Sequence, residues 1–361
     1  MITNTDTFCE IFGMTKQKLC RQIDNLMVIM DQTYNDNELK QRIDAIKLTI
    51  QDRMKINSGF VYVFGSRVYK LATTDSDLDL YFDVGGCFTG KIADSRIKQL
   101  QLVDLFIESF EKSEDFINIV TLKDARVPIV RFRHKPTNLK CDLSFRSGLT
   151  VRNSSLVKLY LSLDKRVQWV VCVIVKQWAL THELINDNLS SFAIIWLVLF
   201  VLIRQKVVPP TIEFWKMSTK HEPNFVEGWD TSICVQEIRV PTLTTVNLHT
   251  SKWDLLRSVF EFYSDTTTLK NYVLCPVLGQ LIPKSTFYKD FLTKSSSEKN
   301  FRYQREMFGR TKTIVDTNFG CSSRIEIQNP IKLCNNVSHW LLGKDMNNFI
   351  DLCVQSAKCM K

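Results

Sequence analysis

The stretch from Phe60 to Asp83 constrains this chain more than any other, because two strand-like runs flank a turn of special composition. Phe60-Val-Tyr-Val-Phe64 is apolar, β-branched and aromatic, as a buried strand is. Gly65-Ser66 ends it. A glycine there lets the backbone approach a ligand closely, and the segment after it can open a short helix whose free N–H groups suit phosphate. Leu78 to Asp83 then alternates strictly, with Asp77, Asp79, Tyr81 and Asp83 on one face and Leu78, Leu80 and Phe82 on the other. Carboxylates at alternate positions of one strand face repel each other unless a cation lies between them, and such oxygens are the ligands Mg²⁺ prefers. A bare D-x-D also describes a solvated acidic edge strand. The Gly-Ser turn ahead of it adds the phosphate cradle that a metal-nucleotide site needs.

At 361 residues the chain is long enough for two domains with separate cores. A hydrophobic content of 45% with 24% charged residues is that of an ordinary globular protein. Lys and Arg outnumber Asp and Glu by 47 to 38, a net +9 that suits a polyanionic partner. The 11 cysteines form no C-x-x-C pair and are odd in number, so neither a disulfide framework nor a zinc site is implied. Their usage points to a reducing compartment, the cytoplasm. The N-terminus lacks the basic and apolar segments of a signal peptide. The most apolar run, Phe192 to Ile203, falls well short of the ~20 residues of a membrane span and reads as a core helix.

Helical spacing marks residues 15–31 and 36–54, ahead of the Phe60 strand. After the D-x-D strand, Gly85-Gly86 breaks the chain, and an amphipathic helix is expected from about Ile92 to Phe110. Phe116 to Leu122, Pro128 to Arg133 and Leu139 to Phe145 read as three strands. In the last of these, Lys140, Asp142 and Ser144 share one face. From Val151 the texture becomes helical: Asn153 to Leu163, Lys165 to His182 and Ser191 to Lys206, the last stopped at Val207-Val-Pro-Pro210. Long loops are expected to about Thr250, a helix from Trp253 to Tyr263, irregular chain over 311–329, and a closing helix from about Asp345 to Met360. The expected domains are 1–146, α/β, and 147–361, mostly helical, with the N-terminal helix able to pack on the second.

Strand, Gly-Ser turn and D-x-D strand at this spacing resemble the signature of DNA polymerase β-like nucleotidyltransferases. Further on, Asn153-Ser-Ser-Leu-Val-Lys-Leu-Tyr160, Leu163-Asp-Lys-Arg166, Val175-Lys-Gln-Trp178 and Leu189-Ser-Ser-Phe192 follow one another as in the non-canonical poly(A) polymerases and terminal uridylyltransferases. Ile325-Glu-Ile-Gln-Asn-Pro330 with Cys334-Asn-Asn-Val337 resembles that family's PAP-associated motif. The resemblance runs over nearly the whole chain. It implies an α+β fold: a nucleotidyltransferase domain, with a mixed β-sheet and flanking helices, plus a mostly helical PAP-associated domain, the active cleft lying between them.

The resemblance also implies roles. Asp77, Asp79 and Asp142 would hold two divalent ions, Mg²⁺ or Mn²⁺, serving the RNA 3′-hydroxyl and the triphosphate. Gly65 and Ser66 would hold phosphate oxygens. Lys176 stands in an otherwise apolar run, where a charge needs a partner such as a triphosphate. The family often carries a second basic residue one turn later, and here that residue is Leu180. Asn153 would touch ribose or base, Ser191 a phosphate, and Phe192 would stack on the base through its π-face. Arg126 matches a position near the primer's 3′ end, with a structural ion pair as the alternative. Uridylyl-adding relatives commonly have histidine where this chain has Asn335, whose amide suits uracil or adenine edges alike. The implied activity is template-independent uridylyl transfer from UTP to RNA 3′ ends by a monomer, without a membrane and with any protein partner unidentified. Use of ATP is the alternative, and an inert RNA-binding scaffold is a second.

Overall fold

The computed structural model describes residues 4–54, 59–85, 95–218, 224–234, 249–288, 319 and 325–360. Helices α1 (Asn4–Phe12), α2 (Lys16–Asn35) and α3 (Asn37–Met54) lead into β1 (Phe60–Phe64). A single 3₁₀ turn, Gly65–Arg67, separates β1 from β2 (Leu78–Asp83). Then come α4 (Arg96–Glu111), β3 (Phe116–Leu122), β4 (Ile129–His134), β5 (Leu139–Ser144) and α5 (Leu149–Leu163). Helix α6 (Lys165–Val173) continues through a π-helical turn, Ile174–Trp178, and α7 (Ser191–Arg204) and α8 (Thr211–Ser218) follow. The remainder comprises a small hairpin β6–β7 (Phe225–Val226, Trp229–Asp230), α9 (Lys252–Ser264), α10 (Thr266–Asn271), a hairpin β8–β9 (Tyr272–Cys275, Gln280–Pro283) and α11 (Lys284–Phe287). Helix α12 (Gly343–Cys359) comes last. Gly86, the helix start at Ile92, the loops over 235–248 and most of the irregular run from 311 lie outside the described residues.

The five-stranded sheet has the order β1-β2-β5-β4-β3 and is mixed, since β2 and β5 run parallel while the other pairs are antiparallel. Alternation does the sorting. Leu78, Leu80 and Phe82 of β2 and Cys141 and Leu143 of β5 face a core closed by Phe106 and Phe110 of α4 and by Ile46 and Ile50 of α3. Phe82, Phe106 and Phe145 interlock edge-on there, with ring centroids 4.8 Å apart between Phe106 and each of the other two. The polar residues of β2 and β5 are thereby left on the opposite face. Ser95 caps α4, its side chain accepting from the Lys98 N–H.

The chain divides into two compact units. The sheet unit holds 28–159 with 223–235, and the helical unit holds 1–27, 160–222 and 236–361. The division thus falls at 159/160 rather than at 146, for a local reason. The Ser154 hydroxyl in α5 accepts from the Gly65 N–H at 2.8 Å, and Glu227 Oε1 accepts from the Ser147 hydroxyl at 2.6 Å and the Gly148 N–H at 2.8 Å. These bonds tie the start of α5 and the β6–β7 hairpin to the sheet. That hairpin turns on Glu227 and Gly228, both at positive φ (53° and 83°), the conformation of a two-residue primed turn. In the helical unit, Trp178, Phe260, Tyr263 and Phe349 pack ring against ring with centroids 5.1–5.9 Å apart. The Trp178 Nε1–H donates to Ser356 Oγ at 2.9 Å.

Candidate active site

The strand register assembles the acidic residues. Asp79 of β2 stands directly beside Asp142 of β5, and Asp142 directly beside Arg131 of β4. On the other side, Phe64, the last residue of β1, pairs with Asp79. One row across the polar face therefore reads Asp79, Asp142, Arg131, with exposed Asp77 just ahead of β2. Arg131 grips Asp142 with both arms, Nε to Oδ1 at 2.8 Å and Nη2 to Oδ2 at 2.7 Å. Burial, then the like charges of Asp142 and Asp77, push the Asp79 carboxyl up to about 7.

The Gly65 turn supports this row. Gly65 has φ +74°, and a Cβ built there would lie 2.0 Å from Asp79 Oδ2 and 2.9 Å from Asp79 Cγ. Only glycine meets both demands. The Gly65 N–H is given to Ser154, and Gly65 contributes space for Asp79. The half-buried Ser66 hydroxyl makes no hydrogen bond among the described residues. Arg67, 8% exposed, reaches forward to the carbonyl oxygens of Thr74, Ser76 and Asp77 and so fixes the turn that delivers Asp77.

Asn153 lies in α5, and its buried Oδ1 has no hydrogen-bond partner among the described residues. Arg126 is exposed in the bend after β3, whose Lys123 and Ala125 carbonyls are held by Arg96 at 2.8 and 3.2 Å. The other expected residues belong to the helical unit. Lys176 sits inside the π-helical turn, a distortion common at functional sites, and burial pulls its pKa down. Ser191 and Phe192 open α7 beside the capping Ser190, and Phe192 packs edge-on to Trp196 at 6.3 Å. Asn335 is exposed at a turn whose backbone is pinned by bonds to Asn329 and Lys332. Its neighbour Asn336 is the buried linchpin, Oδ1 accepting from the Ile327 N–H, the Ser338 N–H and the Ser338 hydroxyl, each at 3.0 Å.

Hard carboxylate oxygens suit a divalent cation, and the crowding that raises Asp79 is the strain such a cation relieves. Among the described residues, however, no three His, Cys, Asp or Glu side chains form a closed metal set. Arg131 occupies both oxygens of Asp142, because the register puts it alongside. Sequence reading passed over Arg131, Arg67 and Ser154. An arginine on an alternating strand gives the signal of a solvated face, and only strand pairing reveals its partner.

Similarity to known proteins follows the same line. The family model for the central palm domain of mitochondrial-like poly(A) RNA polymerase matches residues 17–162. Poly(A) RNA polymerase GLD2 of Danio rerio is 28% identical over 316 residues, covering 82% of this chain and 58% of that protein. Terminal uridylyltransferase cid1 of Schizosaccharomyces pombe is 26% identical over 260 residues, covering 68% of this chain and 58% of that protein. Crystal structures of mtPAP with GTP and with UTP superpose with TM-scores of 0.68 and 0.67, each at 18% identity over 96% of this chain and 70% of that one. The chain thus spans less than two thirds of the length of these curated relatives.

Proposed function

Because the chain belongs to the nucleotidyltransferase family of non-canonical poly(A) polymerases and terminal uridylyltransferases, we propose that it adds UMP from UTP to RNA 3′ ends without a template. The observation that carries the reading is the row on the polar face of the sheet: Asp79 and Asp142 in register, with Gly65 cut away to admit Asp79.

In this reading Asp77, Asp79 and Asp142 would hold Mg²⁺ or Mn²⁺, with Arg131 as the competitor for Asp142. When bound, such ions acidify the attacking hydroxyl and neutralise charge on the departing pyrophosphate. The RNA 3′-hydroxyl loses its proton to solvent as its oxygen attacks the α-phosphorus, the bond from phosphorus to the α–β bridging oxygen breaks, and pyrophosphate leaves. The chain's own residues bind and orient. Ser66 and Ser191 donate hydroxyls to phosphate oxygens, and Lys176, with no carboxylate among the described residues acting on its charge, meets the triphosphate. Asn153 offers its orphaned Oδ1 to a ribose hydroxyl or base N–H. Phe192 stacks on the base, Asn335 reads its edge, and Arg126 meets the primer end. Among the described residues no helix is long and apolar enough to cross a membrane. The cysteine usage favours the cytoplasm as the place of action.

A second reading, ATP as the substrate, is favoured by the poly(A) polymerases among the relatives and by the two-way hydrogen bonding of the Asn335 amide. The test is incubation of the protein with a labelled RNA and each nucleoside triphosphate separately, with Mg²⁺. Extension by UTP above the other three is the expected result. Extension by ATP alone installs the second reading, and extension by none of the four, with RNA still bound, leaves only a scaffold.

A further inference from the structure

A cavity of about 140 Å³ opens in the sheet unit between α2, α3 and the turn that follows β1. By the measure in which one water needs about 10–15 Å³, it has room for on the order of ten waters, the bulk of a pyrimidine ring and its attachments. Its floor is apolar, from Met30 and Ile43 on the helices and Val63 on β1. Its walls are cationic: Lys40, Arg67 and Lys70 line it, and no acidic residue does. Tyr34 completes the lining. The Tyr34 ring already receives the Lys70 ammonium at 4.4 Å and the Lys158 ammonium at 5.2 Å from its centroid.

Two features show that this charge is built rather than scattered. Arg67 is buried, and among the described residues its Nη1 has no hydrogen-bond partner. Lys70 is held at φ +61°, a left-handed conformation that a non-glycine residue rarely adopts. Like charges around one apolar-floored cavity are relieved by an anion attached to a flat apolar body. A bare phosphate would satisfy the walls and leave the floor wet.

We propose that this cavity is a second nucleotide site, separate from the polymerising carboxylates, which takes one nucleotide unit with its base on the Met30–Ile43–Val63 floor and its phosphate at Lys40, Arg67 and Lys70. The unit is either one residue of an RNA strand or a free nucleotide. The RNA-tailing reading supplies the source of the ligand only, not the pocket. Because Arg67 also holds the carbonyls of Thr74, Ser76 and Asp77, occupancy is transmitted to the turn that carries Asp77.

The test is methyl NMR of the full chain labelled at methionine and isoleucine, with Met30 and Ile43 as local reporters. Three probes are titrated: uridine 5′-monophosphate, a short oligouridylate and inorganic phosphate. A parallel series uses Lys40→Glu, a reversal at an exposed first-turn position where an acid suits the helix dipole, so the fold is retained. Saturable shifts of both reporters by nucleotide, weakened about tenfold or more in Lys40→Glu, are expected. Shifts with the oligomer alone identify a strand-reading pocket, and shifts with the monophosphate as well identify a free-nucleotide pocket; either supports the proposal. No shift with any probe, shifts unaffected by Lys40→Glu, or phosphate acting as strongly as nucleotide overturns it. Failure here with RNA tailing intact refutes the pocket alone. Failure of tailing with the reporters still responding refutes the polymerising reading alone.

Discussion

Replacing Gly65 by alanine puts a methyl group where Asp79 now lies. The strain has two sources that the structure separates. At φ +74° a non-glycine residue costs about 1–2 kcal/mol in the backbone alone. The new Cβ would also stand 2.0 Å from Asp79 Oδ2, 2.9 Å from its Cγ and 3.2 Å from its Cβ, so the whole carboxylate arm must move. Overpacking of that kind adds about 1–3 kcal/mol. The total of about 2–5 kcal/mol predicts a melting temperature lower by roughly 5–15 °C for a unit of this size. The functional effect should be larger than the thermal one. Displacing a catalytic group by about 1 Å costs on the order of a hundredfold in rate. The assay is single-turnover extension of a labelled RNA, run well below the melting point, beside a melt of the same sample. Gly228→Ala is the control, since Gly228 has φ +83° but nothing within 4 Å of an added Cβ. It carries the backbone cost without touching Asp79. Extension by Gly65→Ala at near the parent rate would refute the reasoning, as would an equal loss of rate in Gly228→Ala.

Asp142→Ala should lower the extension rate by orders of magnitude while RNA affinity holds or rises, because a negative charge is lost and the half-exposed Arg131 returns to water; filter binding beside single-turnover rates checks the split. Arg131→Ala should destabilise the metal-free protein by about 1 kcal/mol, as for a partly exposed ion pair, yet enlarge the melting shift that Mn²⁺ produces, because the competitor for Asp142 is gone. His134 is buried beside Phe116, its Nδ1 2.9 Å from Thr137 Oγ1 and its Nε2 without a partner, and burial lowers its pKa from 6.5 against a weaker opposing pull from Asp115. With the folded value depressed, the contribution of His134 is complete above pH 6.5 and lost as pH falls through the folded value. His134→Leu should therefore flatten the fall in stability between pH 7 and 5, read from denaturant midpoints at each pH.

Much of the sheet was legible because its residues sort with a period of two. The runs Phe60–Phe64, Leu78–Asp83 and Phe116–Leu122 form strands with the bounds that alternation and composition give. Ile129–His134 begins one residue after the expected Pro128, since proline has no N–H to give a ladder. What alternation cannot carry is pairing. The identity of the strand beside Asp79 came from family resemblance, and the Arg131–Asp142 grip follows from a register visible only in three dimensions. The Ser154–Gly65 bond spans 89 residues, and no local pattern announces it. The π-helical turn at Lys176 escaped notice for another reason: in a run apolar on every side, one inserted residue leaves no phase to shift. The β8–β9 hairpin went unread because its strands are four residues each, too short for a period to register.

The same row of residues bears on why a cation would suit these carboxylates. A parallel pairing that seats Asp79 beside Asp142 opposes two negative charges on neighbouring strands, and the sheet gains nothing from that by itself. Arg131 neutralises the outer of the two, Asp142, and is itself half-exposed, so solvent can take it back cheaply. Among the described residues no comparable partner reaches Asp79. Arg67 lies near enough to pull its pKa down, but gives its hydrogen bonds to backbone carbonyls. Burial and two neighbouring carboxylates therefore leave the inner Asp79 near 7. A structural ion pair would distribute its charges so that both partners were satisfied. Here one carboxylate is held by a replaceable arginine and the other is left raised, which is the arrangement expected of a site whose missing charge arrives with its substrate.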